Sequence, residues 1–168
     1  NDSLAATLLR RGYDDHTDLL AYRSEVSGDD GGAASAVLGY CMGAYPWAEY
    51  NFFHSFHAAT GLKIAQEWPY VPDFINYIFW NRLPGDRQFG YGDANHRDNE
   101  LPTRYVHLHL SQMIHFYGKS RPELVALAKW MRSRFPRQSQ EAFPFARFLL
   151  TNKYDEIKPQ GPSEILPR

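Results

Sequence analysis

The apolar residues of this chain recur at helical spacing. Between Thr103 and Tyr117 they fall at Val106, Leu110, Met113, Ile114 and Tyr117, one face of a helix. From Pro72 to Leu83, the residues Phe74, Ile75, Ile78 and Phe79 sit at core spacing and predict a strongly aromatic helix. Leu124, Leu127, Ala128 and Met131 form the inward stripe of another, and Ser120-Arg121-Pro122-Glu123 before it reads as a capping box. Pro46 suits a first helical turn, where its missing N–H costs nothing, and predicts a helix to about Ala59. Thr60-Gly61 ends that helix, with glycine as the terminating residue. Leu4 to Arg11 and Thr17 to Val26 read as two helices, the second capped by Asp14, Asp15 or Thr17. Ala33 to Met42 is a small apolar segment of the same kind, and Glu141 to Leu150 is a short final helix.

The polar positions supply the breaks. Ser27-Gly28-Asp29-Asp30-Gly31-Gly32 is a turn, Gly118 closes the 103–117 helix, and residues 84–100 form a long polar loop. The tail from Lys153 holds three prolines and reads as a connector. No segment alternates as a strand would, and there is no sequence repeat. The expected fold class is therefore all-α, built of antiparallel helical hairpins.

Composition narrows this picture only modestly. A chain of 168 residues suits one domain with a single core. Hydrophobic residues at 43% and charged residues at 22% make it globular rather than disordered. Aromatics at 15% suit a deep core and a ring-lined sugar cleft alike, and composition does not separate the two. The net charge of −1, without a long basic run, gives nucleic-acid binding no electrostatic support. No apolar stretch reaches the roughly 18 residues of a membrane span. The one cysteine, Cys41, excludes an internal disulfide framework and any multi-cysteine metal site, and reads as a buried small apolar residue. No metal and no cofactor is expected.

Two stretches go beyond generic helices. One is Asp30-Gly31-Gly32, followed by Met42-Gly43-Ala44-Tyr45-Pro46-Trp47-Ala48-Glu49-Tyr50 and Ala58-Ala59-Thr60-Gly61. The other is Ile165-Leu166-Pro167. Together they resemble the heparinase II/III-like polysaccharide lyases, in which an (α/α) toroid precedes a β-sandwich domain. The resemblance implies a partial toroid over residues 1–152 and a linker over 153–168, leading to a β-sandwich outside this chain. It also implies an acidic, uronic-acid-containing polysaccharide as substrate, β-elimination as the reaction, and a periplasmic or secreted bacterial location.

That chemistry has three needs: neutralisation of the uronate carboxylate, a base for the C5 proton, and an acid for the leaving oxygen. The resemblance places the family's tyrosine on Tyr45, with Tyr40 second. A phenol titrates near ~10, so it must be positioned and shifted to work near neutral pH. The competing reading is that Tyr45 is one of 11 tyrosines at the rim of a core. The 44 residues before Tyr45 hold no match to the family's carboxylate neutraliser. That group is expected before Asn1 and the sandwich histidine beyond Arg168, so the chain alone is expected to be inactive.

Further candidates come from the residues themselves. Asn51, His54 and His57 stand three apart on one predicted helix and could face a carboxylate together, begin a zinc site, or serve packing. His107 and His109 cannot share a helical face. In the Gly-hinged loop Gly90-Tyr91-Gly92-Asp93-Ala94-Asn95-His96-Arg97, Arg97 suits a uronate or sulfate and Asp93, Asn95 and His96 suit sugar hydroxyls. The same loop read structurally is a solvated cap. Trp47 and Trp80 suit stacking on pyranose rings or a place in the core. The rival functions are a toroid glycoside hydrolase, for which Asp30, Glu49, Asp86 and Asp93 form no identifiable pair, and a non-catalytic carbohydrate-binding helical domain.

Overall fold

Helix accounts for most of the residues described, which are 2–27, 31, 46–85, 87–88, 103–135, 150 and 154–162 of a computed structural model. In chain order they form α1 (Asp2–Ser27), α2 (Pro46–Thr60), a 3₁₀ turn (Ala65–Glu67), α3 (Tyr70–Trp80), strands β1 (Arg82–Leu83) and β2 (Arg87–Gln88), α4 (Thr103–Tyr117) and α5 (Pro122–Arg134). The fold is all-α. The segments Ala33–Met42 with Cys41 and 141–149 lie outside the described residues, while Leu150 is helical and buried.

The centre is α4. Every pattern residue on it is buried, with Val106, Leu110, Met113 and Ile114 fully so and Tyr117 nearly so. The polar side is enclosed as well: His107, His109, Ser111 and Gln112 are all buried. A helix covered on every side is a core helix rather than a surface one. It packs against α3, α5 and the 3₁₀ turn, and α3 also meets α1 and α5. Ile75 and Ile78 from α3 and Val125, Ala128 and Met131 from α5 complete the core. Each large aliphatic side chain so buried contributes about 1.5–3 kcal/mol. The exposed ion pairs of α1 are worth only about 0.3–0.5 kcal/mol each, so the core decides the fold.

Three local expectations are corrected. α1 runs unbroken through Gly12, where two helices were predicted. Arg10–Asp14 and Arg11–Asp15 pair along its surface, and the Thr17 hydroxyl donates to the Asp14 carbonyl at 2.9 Å instead of capping a new helix.

The aromatic helix ends at Trp80 rather than Leu83. Asn81 Nδ2 donates back to the Tyr77 carbonyl at 2.9 Å, and Pro84 forces Leu83 out of helical geometry. Arg82 and Leu83 instead pair antiparallel with Gln88 and Arg87, across a turn in which Gly85 takes φ +78°.

The capping box does not form. Pro122 restricts Arg121, so Arg121 rather than Ser120 becomes the residue at the helix boundary. Glu123 then accepts from Arg121 Nε at 2.7 Å, and the same guanidinium reaches Asp73 at 2.8 Å.

Residues 154–162 of the tail pack against α4 and α5. The Tyr154 ring lies on Gly118, Gln160 N–H donates to the Ala126 carbonyl at 3.1 Å, and Gly161 sits against Trp130.

Gly31 shows why the second residue of Asp-Gly-Gly must lack a side chain. Its φ is +73°, and a Cβ there would stand 1.8 Å from the Asp73 carbonyl oxygen at the start of α3.

Candidate functional site

Three helices meet at one buried carboxylate. Pro46 opens α2 and places Glu49 in its first turn, facing inward at 4% exposure. Arg23 of α1 donates through Nη1 to Glu49 Oε1 at 2.5 Å, and the Tyr70 hydroxyl of α3 donates to the same oxygen at 3.1 Å. The other oxygen, Oε2, is buried without a hydrogen-bond partner among the described residues, and so is the hydroxyl of the adjacent Tyr50. The Tyr50 ring stands edge-on to His109 of α4 at 5.2 Å between centroids, and His109 also meets Phe74 edge-on at 5.1 Å.

The electrostatics of this cluster follow from burial. The Tyr50 and Tyr70 phenols are pushed well above their ordinary range, first by desolvation and then by the Glu49 charge. Tyr117 is raised for the same leading reason, and its hydroxyl donates to the Ala65 carbonyl at 2.9 Å. His109 is lowered to about 3 by burial alone. His16 is also lowered by burial, with Glu49 opposing. Burial thus favours the protonated form of all three phenols.

The sequence candidates fare unevenly. Tyr45, Tyr40, Asp93, Asn95, His96 and Arg97 lie outside the described residues. Trp47 belongs to α2, but its side chain lies outside them too. Asn51 is exposed. His54 is half-buried; its Nε2 meets Gln112 Oε1 at 2.7 Å and its ring lies 4.6 Å from that of Phe116, which ties it to α4. His57 is exposed and its Nδ1 meets the Leu62 carbonyl at 3.1 Å. Trp80 is 54% exposed and its ring meets Phe79 edge-on. Among the described residues no group of three His, Cys, Asp or Glu side chains could hold a metal ion. Nor is any helix there long and apolar enough to cross a membrane.

Sequence reasoning missed Arg23 and Tyr70, and it considered Glu49 only as a hydrolase acid. A signal for Glu49 existed: it is the one carboxylate of α2 and stands next to the aromatic run Tyr50, Phe52 and Phe53, where an unpaired charge is costly. Nothing local pointed to partners 26 and 21 residues away.

The chain matches no protein-family model, no curated protein and no solved structure.

Proposed function

We propose that the chain is the helical, toroid-forming part of a polysaccharide lyase that cleaves uronic-acid-containing chains by β-elimination, with the Tyr45 phenol as base or acid. The observation that supports this best is the Glu49–Arg23–Tyr70 cluster. It anchors the first turn of α2 to α1 and α3, and α2 begins one residue after Tyr45. A catalytic group needs such a rigid support to hold its reacting geometry. The reading also rests on the Asp30–Gly61 resemblance, for which Gly31 supplies a steric reason, and on the α4–α5 hairpin, a unit of the kind a toroid repeats.

In the reaction the C5–H bond breaks toward the base, and its electron pair becomes the C4=C5 double bond. The C4–O bond breaks, and the leaving oxygen takes a proton. The hydrolase alternative needs two facing carboxyl groups. Among the described residues, the buried acid Glu49 is engaged by Arg23 and the half-buried Asp73 by Arg121.

Full-length protein carrying Tyr45→Phe should lose the formation of unsaturated uronate, read by its ultraviolet absorbance on an acidic polysaccharide. A variant that keeps its rate overturns the role of Tyr45. Products without a double bond overturn the reaction class.

A further inference from the structure

A second feature lies at the far end of α2, away from Glu49. A cleft of about 190 Å³ opens between the end of α2, the 3₁₀ turn and the end of α4. Its charged and polar lining is Lys63, Lys119, His57 and His115, together with Gln66, and no acidic side chain among the described residues contributes. Neither lysine is in an ion pair among the described residues. Two ammonium groups and two imidazoles thus share one concavity in a chain whose net charge is −1. A local excess of one sign in a recess concentrates ions of the other sign.

The walls are fixed rather than incidental. Gln66 Nε2 donates to the Phe116 carbonyl at 3.0 Å, and the Tyr117 hydroxyl holds the Ala65 carbonyl, so the 3₁₀ turn is tied to α4. His57 is oriented by the Leu62 carbonyl. The fourth wall is Tyr154, whose φ of 58° is a left-handed conformation that costs a non-glycine residue energy. It is kept there by the Lys129 ammonium and the Ile157 N–H, which both donate to its carbonyl, and by the bare face of Gly118. Tyr154 and Phe116 both line the cleft.

We propose that this cleft binds one acidic sugar unit, its carboxylate or sulfate between Lys63 and Lys119 and its less polar ring face against Tyr154 and Phe116. The volume lies below the ~300–1,000 Å³ of drug-sized sites, which suits a single unit rather than a length of chain. The sugar identity rests on the polysaccharide reading above; the capacity for an anion rests on the cleft alone.

The test is a nuclear magnetic resonance titration of the chain with sodium sulfate, glucuronate and glucose at constant ionic strength. Sulfate and glucuronate should shift the amide signals of Lys63, Gln66 and Lys119 saturably, and glucose should not. Lys63→Ala/Lys119→Ala should weaken both anions by about tenfold or more. Its thermal midpoint should stay unchanged, because both side chains are exposed. Lys158→Ala, outside the cleft, should bind as the parent does. The proposal is overturned by the absence of saturable binding for both anions, or by a double variant that binds normally. Binding of sulfate without glucuronate overturns the sugar assignment. Failure of the lyase reading would show separately, as an unchanged rate in Tyr45→Phe, and would leave this titration untouched.

Discussion

Glu49 and His109 are both buried, yet only Glu49 has a counter-charge among the described residues. The Glu49 carboxylate is compensated by the Arg23 guanidinium, and both side chains are largely withdrawn from water. Glu49→Gln keeps the shape but removes the buried negative charge that faces the Arg23 guanidinium. Breaking a buried pair from one side costs about 3 kcal/mol or more, against the ~0–1 kcal/mol of surface pairs. Urea unfolding should show that loss; a change below about 1 kcal/mol would mean that water or another group already compensates Arg23. His109 has no such partner, and burial lowers it to about 3. The unfolded chain therefore binds the extra proton between about pH 6.5 and pH 3. The stability contribution is complete above 6.5 and drains away as pH falls toward 3. From pH 7 to pH 5 the native protein should lose about 2 kcal/mol more than His109→Phe does. Its imidazole signal should stay that of the neutral ring at pH 5, and a midpoint near 6.5 would contradict the burial account. At this scale the sequence was poorly legible. It could show a charge among apolar neighbours but not the second helix that compensates it.

At the scale of elements, legibility depended on whether period or punctuation carried the information. α4 and the end of α2 were read correctly, because periodicity and a terminating glycine agree there. α1 was misread because Gly12 and the Asp14-Asp15 pair resemble a break. A glycine inside a helix costs only about 1 kcal/mol, which i,i+4 pairing along the same stretch offsets in part. Continuity has a consequence within α1 itself. Only Leu20 is buried on it, while Leu4, Leu8 and Leu9 are 56%, 60% and 75% exposed. The same substitution should therefore divide sharply along one helix. Leu20→Ala should cost about 2–5 kcal/mol, and Leu8→Ala should stay within about 0.5 kcal/mol. Equal losses in chemical denaturation would show that the first half of α1 is covered in solution.

At the scale of the whole molecule, the proline-bearing tail forms a strap across α4 and α5 over 154–162. Proline-rich composition records the lack of regular hydrogen bonding, not the lack of packing. What ties the strap down is a contact between a glycine and an aromatic ring, which no periodic pattern encodes. Gly118 closes α4 and leaves its face bare, and a Cβ there would stand 2.2 Å from the Tyr154 ring. Unlike Gly31, Gly118 does not have a positive φ, so alanine fits its backbone and the whole effect falls on Tyr154. Gly118→Ala should thus leave the α4–α5 core folded while displacing the strap. Hydrogen exchange should speed up at the Ile157 and Gln160 amides, whose bonds to Tyr154 and Ala126 hold the strap, and stay slow at Leu110 and Ile114. Tyr154→Gly relieves both the clash and the left-handed strain. In the double variant Gly118→Ala/Tyr154→Gly, the penalty of Gly118→Ala should largely vanish, a coupling that a merely local effect at Gly118 would not produce.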